Sequence, residues 1–156
     1  MASEIIEIKR NDALALADFA ALNLYWIGRL HAVEAPDQEM ADNPEIYTHG
    51  RNSVFSLHIN GKTAGVCALK QDDDGQFELT KMAVSPDFQG RGLGKKLMEI
   101  VETYARDEMG LAKIYLLSNT KNAAAIRLYK RGGWSVLFEG PHPTYERCNI
   151  GMEKIL

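Results

Sequence analysis

The sequence predicts a single α/β domain over residues 1–156, with one mixed sheet carrying helices on both faces. Three observations lead there. Two strand-like runs flank Asn60-Gly61, the strongest short hairpin signal. A glycine-rich turn, Gln89-Gly90-Arg91-Gly92-Leu93-Gly94-Lys95, joins a strand pattern to an amphipathic helix pattern. Hydrophobic content of 46% and charged content of 25% are those of a soluble globular chain, and 156 residues suffice for a real core.

In chain order, Glu4 to Lys9 alternate as a first strand. Asp12 is placed to cap a helix whose apolar face runs through Leu22, Tyr25, Trp26, Leu30 and Val33. Pro36 to Gly50, acidic and with two prolines, reads as a short helix or a loop. Strands follow at Ser53–Ile59 and Thr63–Leu69, and the turn Asp72-Asp73-Asp74-Gly75 leads into a third at Phe77–Val84. That acidic triplet lacks the glutamate a calcium loop needs at its twelfth position, where Ala83 stands, so it is read as a solvated turn. Ser85-Pro86-Asp87 breaks the strand. The next helix aligns Leu93, Leu97, Ile100, Val101 and Tyr104 and ends at Gly110. Ala112–Leu117 is a buried strand by composition, Asn122–Arg131 a helix closed by Gly132-Gly133, and Trp134–Phe138 and Tyr145–Met152 two last strands. The order is β-α-(α)-β-β-β-α-β-α-β-β, with β-α-β crossovers confined to the second half.

Composition narrows the function. A net charge of −3 argues against a general nucleic-acid or membrane-surface binder, and no apolar run is long enough to span a membrane. Met1-Ala2-Ser3-Glu4 shows no signal-peptide pattern, so a cytoplasmic protein is expected. Cys67 and Cys148 form neither a disulfide framework nor a ligand spacing, and His31, His49, His58 and His142 are scattered, so no metal is expected. Cys67 reads as a small buried residue with no histidine partner that would make it a nucleophile.

The glycine turn carries the chemistry. Backbone N–H groups at the start of a helix, uncovered by side chains and at the positive end of the dipole, make a phosphate site. Arg91, Lys95 and Lys96 add positive charge. A P-loop is excluded, because Gln89 stands where its first glycine belongs and Lys96 replaces the hydroxyl residue. A dinucleotide fingerprint is excluded as well, since its third glycine would fall on Lys95. What remains is Gln89-x-x-Gly92-x-Gly94, which resembles the acetyl-CoA signature of the GCN5-related N-acetyltransferase (GNAT) superfamily. Glu78-Leu79-Thr80-Lys81-Met82-Ala83-Val84-Ser85-Pro86 before it also resembles that family. So does Asn119-x-x-Asn122-x-x-Ala125-x-x-Leu128-Tyr129-x-x-Gly132-Gly133-Trp134 after it. The likeness covers about residues 50 to 139.

The resemblance implies an acyl-CoA N-acyltransferase fold, acetyl-CoA as donor, and direct transfer to a primary amine of a small molecule. Backbone groups of Met82, Ala83 and Val84 would pair with the pantetheine arm, and Gln89, Gly90, Arg91, Gly92, Leu93, Gly94 and Lys95 would cradle the pyrophosphate. Lys95, Lys96 and Lys121 are in reach of the 3′-phosphate. Glu78 matches the general base, and Tyr129 the acid that protonates the departing thiolate. Asn119 and Asn122 match family residues that contact the pantetheine or complete the strand end, Asn122 being equally an N-cap. Glu78 read by itself is also compatible with a cross-strand ion pair, and Tyr129 with simple packing. Alternation sets Glu78, Thr80 and Met82 on one face of the strand and Phe77 and Leu79 on the other. Acceptor candidates are Trp26, Arg29, Glu34, Tyr145 and Arg147, the last as a grip for a carboxylate or phosphate on the final strand or else as an ion-paired arginine. Two alternatives remain open: a protein N-terminus or lysine as acceptor, and a non-catalytic CoA-binding sensor. A homodimer is compatible with the family, although nothing in the sequence specifies an interface.

Overall fold

In the computed structural model, which describes residues 3–143 and 147–156, seven strands form one sheet in the order β1-β2-β3-β4-β5-β7-β6. They are β1 Ile6–Arg10, β2 Ser53–Ile59, β3 Lys62–Gln71, β4 Phe77–Val84, β5 Lys113–Ser118, β6 Ser135–Glu139 and β7 Ile150–Ile155. The helices are α1 Leu16–Leu30, α2 Ala35–Asp42, α3 Leu93–Thr103 and α4 Ala123–Arg131. Every strand pair is antiparallel except β4 and β5, which run parallel around the α3 crossover. None of the helices among the described residues is long and apolar enough to cross a membrane.

The two faces of the sheet have different cores. Phe55, Leu57, Cys67, Leu69, Phe77, Leu79 and Ile114 pack against Leu93, Leu97, Met98 and Val101 of α3, with Leu128 and Tyr129 of α4 at the margin. On the opposite face Val54, Val66, Ala68 and Ala83 meet Phe19 and Ala20 of α1, Met40 of α2 and Tyr47. Each fully buried aliphatic side chain contributes about 1.5–3 kcal/mol, so α3 is anchored chiefly by Leu97 and Val101, both 0% exposed.

Asn60 and Gly61 both have positive φ, the conformation of a tight hairpin turn. The acidic turn closes as expected: Asp72 Oδ1 accepts from the N–H groups of Asp74 and Gln76, and Asp72 Oδ2 accepts from the Tyr115 hydroxyl at 2.8 Å. Residues 36–50 resolve into α2 and a 3-10 helix over Pro44–Thr48.

Four expectations are corrected. The inner face of α1 is Phe19, Ala20, Asn23 and Ile27, whereas Tyr25, Leu30 and Val33 are exposed. Asn23 at the centre of the buried stripe disguised it: its amide donates to the carbonyls of Phe19 and Lys81, so the polar group is satisfied inside. Asp12 caps only a 3-10 turn, Ala13–Ala15, that leads into α1. Lys81 in β4 has φ 55°, and there β4 carries one residue more than β3. The bulge reverses the alternation, so Met82 joins Phe77 and Leu79 on the α3 face rather than Glu78 and Thr80. The last strand begins at Ile150, not Tyr145, because it lies between β5 and β6 and starts where Ser118 of β5 offers it a partner. Arg147 therefore sits in the loop before it.

Candidate active site

The parallel pair β4–β5 shares a single registered pair, Glu78 with Tyr115. Beyond it the strands part, and the gap opens a cleft. Glu78, Thr80, Lys81 and Met82 line it from β4, Leu116, Leu117 and Ser118 from β5, and Asn119, Asn122 and Tyr129 from the following turn and helix. Asn23, Ile27, His31, Tyr47, Lys70 and Arg147 close the α1 side. Glu78 and Tyr129, about fifty positions apart in sequence, thus face one space.

Burial pushes the Glu78 carboxyl up to about 7, against the opposing pull of Lys81, Lys70 and Thr80. Lys70 is its register partner on β3, yet among the described residues no ion pair within 4.0 Å involves Glu78. Its carboxyl can exchange a proton near neutral pH. Burial also raises the Tyr129 phenol above its ordinary value, which keeps it protonated, with its ring centroid 6.4 Å from that of Trp134.

The glycine turn lies at the mouth of α3. Gly90 and Gly92 have φ of 74° and 72°, and a Cβ on either would point into open space. Among the described residues, no backbone carbonyl takes the N–H groups of residues 89–95; the first bond of the helix is Lys96 N–H to Gly92 O at 3.2 Å. Unsatisfied donors at a helix start, with open space where a Cβ of Gly90 or Gly92 would stand, fit a pyrophosphate. The Arg91 guanidinium is paired with Glu4 and lies over Phe88. Lys95 lies 4.0 Å from Glu99 on the exposed side of α3.

Of the β4 backbone groups, the Val84 carbonyl already accepts from Trp26 Nε1 at 2.8 Å. Trp26 is therefore a brace for β4, not a residue of the cleft lining. Asn119 donates to the Arg147 carbonyl at 2.6 Å and accepts from Lys121 N–H. Asn122 occupies the N-cap position of α4, but its side chain makes no cap bond and faces the cleft.

The acceptor candidates disperse. Arg29 is exposed and stacks on Tyr25, 4.1 Å from the ring centroid, outside the cleft lining. Tyr145 lies outside the described residues. Glu34 stands 3.4 Å from Arg147. Arg147 lines the cleft, but its guanidinium is committed to Asp37 by two hydrogen bonds of 2.6 and 2.5 Å. Asp37, 0% exposed, also takes Lys81 Nζ at 3.0 Å. Burial alone would raise its carboxyl; Arg147, the Glu34 backbone and Lys81 hold it well below the usual carboxylate range. The bulge is thus gripped twice, by Asp37 at the Lys81 ammonium and by Asn23 at the Lys81 carbonyl. Burial, then Arg147 and Lys121, lowers His31.

Asn23, His31, Asp37, Lys70 and Lys81 were missed by sequence reasoning. Only Asp37 had a signal, its position three residues after Glu34 at a helix start, where its carboxylate accepts from the Glu34 N–H. No group of three His, Cys, Asp or Glu side chains among the described residues is placed to hold a metal ion.

With this geometry in view, comparison with known proteins is specific. The profile of the acetyltransferase (GNAT) family matches residues 19–134. The spermidine N(1)-acetyltransferase of Escherichia coli strain K12 is 27% identical over 112 residues, 69% of this chain and 59% of that protein. An acetyltransferase of the GNAT family from Staphylococcus aureus Mu50 superposes with a TM-score of 0.83 at 21% identity, over 97% of this chain and 99% of the other. The yncA protein of Salmonella typhimurium, solved with its cofactor acetyl-CoA, has a TM-score of 0.78 at 22% identity, over 97% and 94% of the two chains. The chain spans at most about three-fifths of the length of these curated relatives, and under a third of one from Mycobacterium leprae.

Proposed function

The chain belongs to the acetyltransferase (GNAT) family, and on that premise we propose that it moves an acetyl group from acetyl-CoA directly to the primary amine of a small molecule. The observation that carries this reading is the meeting of Glu78 and Tyr129 in the cleft where β4 leaves β5. Bound acetyl-CoA supplies an activated thioester. Residues 89–95 hold its pyrophosphate by backbone N–H groups, and the parted edge of β4 at Met82 and Ala83 receives the arm.

An alkylammonium of pKa about 10.4 must lose a proton before it attacks, at a cost of roughly 4–5 kcal/mol at pH 7. An ordinary carboxylate, near 4.3, is mismatched to that amine by about six pKa units, or ~8 kcal/mol. With Glu78 raised to about 7, the mismatch falls to about 3.4 units. Glu78 takes the ammonium proton, directly or through one water. As the new N–C bond forms and the C–S bond breaks, the attacking nitrogen loses its second proton to water and Tyr129 gives its proton to the thiolate; Tyr129 then regains a proton from solvent and Glu78 releases the one it took. The products are the N-acetylated amine and free CoA. Cys67 is fully buried, so no thiol nucleophile is available from it.

The test is free-thiol release from acetyl-CoA over a panel of amines, amino acids, polyamines and peptides, with wild type, Glu78→Gln and Tyr129→Phe. Turnover lost in both variants with acetyl-CoA affinity kept is the expected result. Binding without turnover on any acceptor points instead to a sensor, and turnover restricted to peptides to a protein acceptor.

A further inference from the structure

The charges around the acceptor half of the cleft do not suit a polycation. Of the cations that line it, Lys81 and Arg147 are neutralised by Asp37, with Glu34 beside Arg147. Lys70 is different. It lines the cleft half-buried, its ammonium 5.2 Å from the centroid of the Tyr47 ring, and among the described residues no carboxylate lies within 4.0 Å of it. A half-buried cation with no carboxylate in ion-pair contact, set beside a Glu78 that burial keeps partly protonated near neutral pH, can seat an anion. On the acidic side, Glu78 is the one carboxylate that lines the cleft among the described residues.

Lys70 is also placed at a defined distance from the chemistry. It and Glu78 are register partners on adjacent strands, so their side chains leave the same face with Cβ atoms about 5 Å apart. That face carries Val66, Ala68 and Tyr47, and it is the α1 side of the sheet. An amine held at Glu78 therefore has Lys70 within reach of whatever it carries on the next carbon or two. We propose that the acceptor is an amine bearing a carboxylate close to its nitrogen, an amino acid in the broad sense, and that Lys70 is the residue that selects it.

This rests on the acetyl-transfer reading, and the experiment separates the two. Amino acids, their amides, their decarboxylated amines and spermidine are compared by thiol release and, in parallel, by thermal shift with CoA bound. The expected result is that kcat/KM favours an amino acid over its decarboxylated amine by tenfold or more. Lys70→Met should remove that preference mainly by raising KM for the acids, with KM for amines that carry no carboxylate changed far less. Lys70→Glu should turn the preference toward diamines. Wild type preferring spermidine or the decarboxylated amines overturns the proposal, as does Lys70→Met with an intact preference for acids. If no acceptor is turned over, the transfer reading fails by itself. The thermal shift then decides the proposal: stabilisation by amino acids that Lys70→Met abolishes supports it, and equal stabilisation by amines and acids, or none, overturns it.

Discussion

The donor and acceptor halves of the cleft are built by different means. The donor half is contiguous chain: a strand end, two glycines of positive φ and the first turn of α3. The ligand groups proposed for it are backbone N–H donors, whose placement is settled by local dihedral angles. The acceptor half draws on α1, α2, β3, β4 and the loop at Arg147, and side chains hold it together through the fully buried Asp37. A site made of backbone tolerates change in most surrounding side chains. A site made of buried ion pairs depends on each partner.

Glu78 stands where the halves meet, so its loss has the largest expected effect. Glu78→Gln should lower kcat by about 10²–10⁴ while acetyl-CoA affinity stays within twofold. In wild type kcat/KM should rise with pH through about 7 as the carboxyl ionises. An unchanged kcat in the variant removes Glu78 from the mechanism.

Asp37→Asn strikes chiefly the acceptor half. It leaves Lys81 and Arg147 facing a neutral amide, and breaking a buried pair costs about 3–5 kcal/mol. Urea unfolding should record a loss on the order of 3 kcal/mol, with acetyl-CoA affinity little changed in the folded fraction. A stability loss below about 1 kcal/mol would show that the cluster does not hold this half.

The same two carboxylates have opposite linkage to pH. The folded state keeps a proton on Glu78 that the unfolded chain releases near its ordinary 4.5, so this contribution falls as pH rises from about 4.5 to about 7. Asp37 is shifted downward, so its contribution is present above the ordinary carboxylate pKa and is lost on acidification below it. Glu78→Gln should flatten the decline between pH 5 and 7 and be more stable than wild type at pH 8 by about 3 kcal/mol. Parallel stability curves for the two proteins would contradict this assignment.

The smallest effect tests the donor half. Gly92→Ala forces a Cβ into a left-handed residue at a cost of about 1–2 kcal/mol and places a methyl in the space at the turn. Calorimetric titration with CoA should show about a tenfold weaker Kd, with the acceptor KM unaltered. Undiminished CoA binding would place the pyrophosphate elsewhere.

Legibility in the sequence follows the same division. The glycine turn, the Asn60-Gly61 hairpin and the β4–α3 junction were readable because each is a short-range preference of a few adjacent residues. The inner face of α1 was not, since Asn23 is polar in composition and buried in fact. Nor was the bulge at Lys81, because a lysine gives no sign of positive φ when its ammonium and carbonyl are held by distant partners. Arg147 showed two possible roles by sequence, anion grip or ion pair, and its two bonds to Asp37 leave it the second.

By itself, then, the sequence determined the family, the mixed sheet and the glycine turn at the start of α3, all of which depend on local backbone conformation and the periodicity of apolar residues. Tertiary structure decided that β7 lies between β5 and β6, that Asp37 is the hub of the acceptor half, and that Lys70 faces the cleft beside Glu78. The physical reason is range. Asp37 and Arg147 are 110 positions apart, and a partnership formed by desolvating two charges together leaves no periodic trace in either neighbourhood.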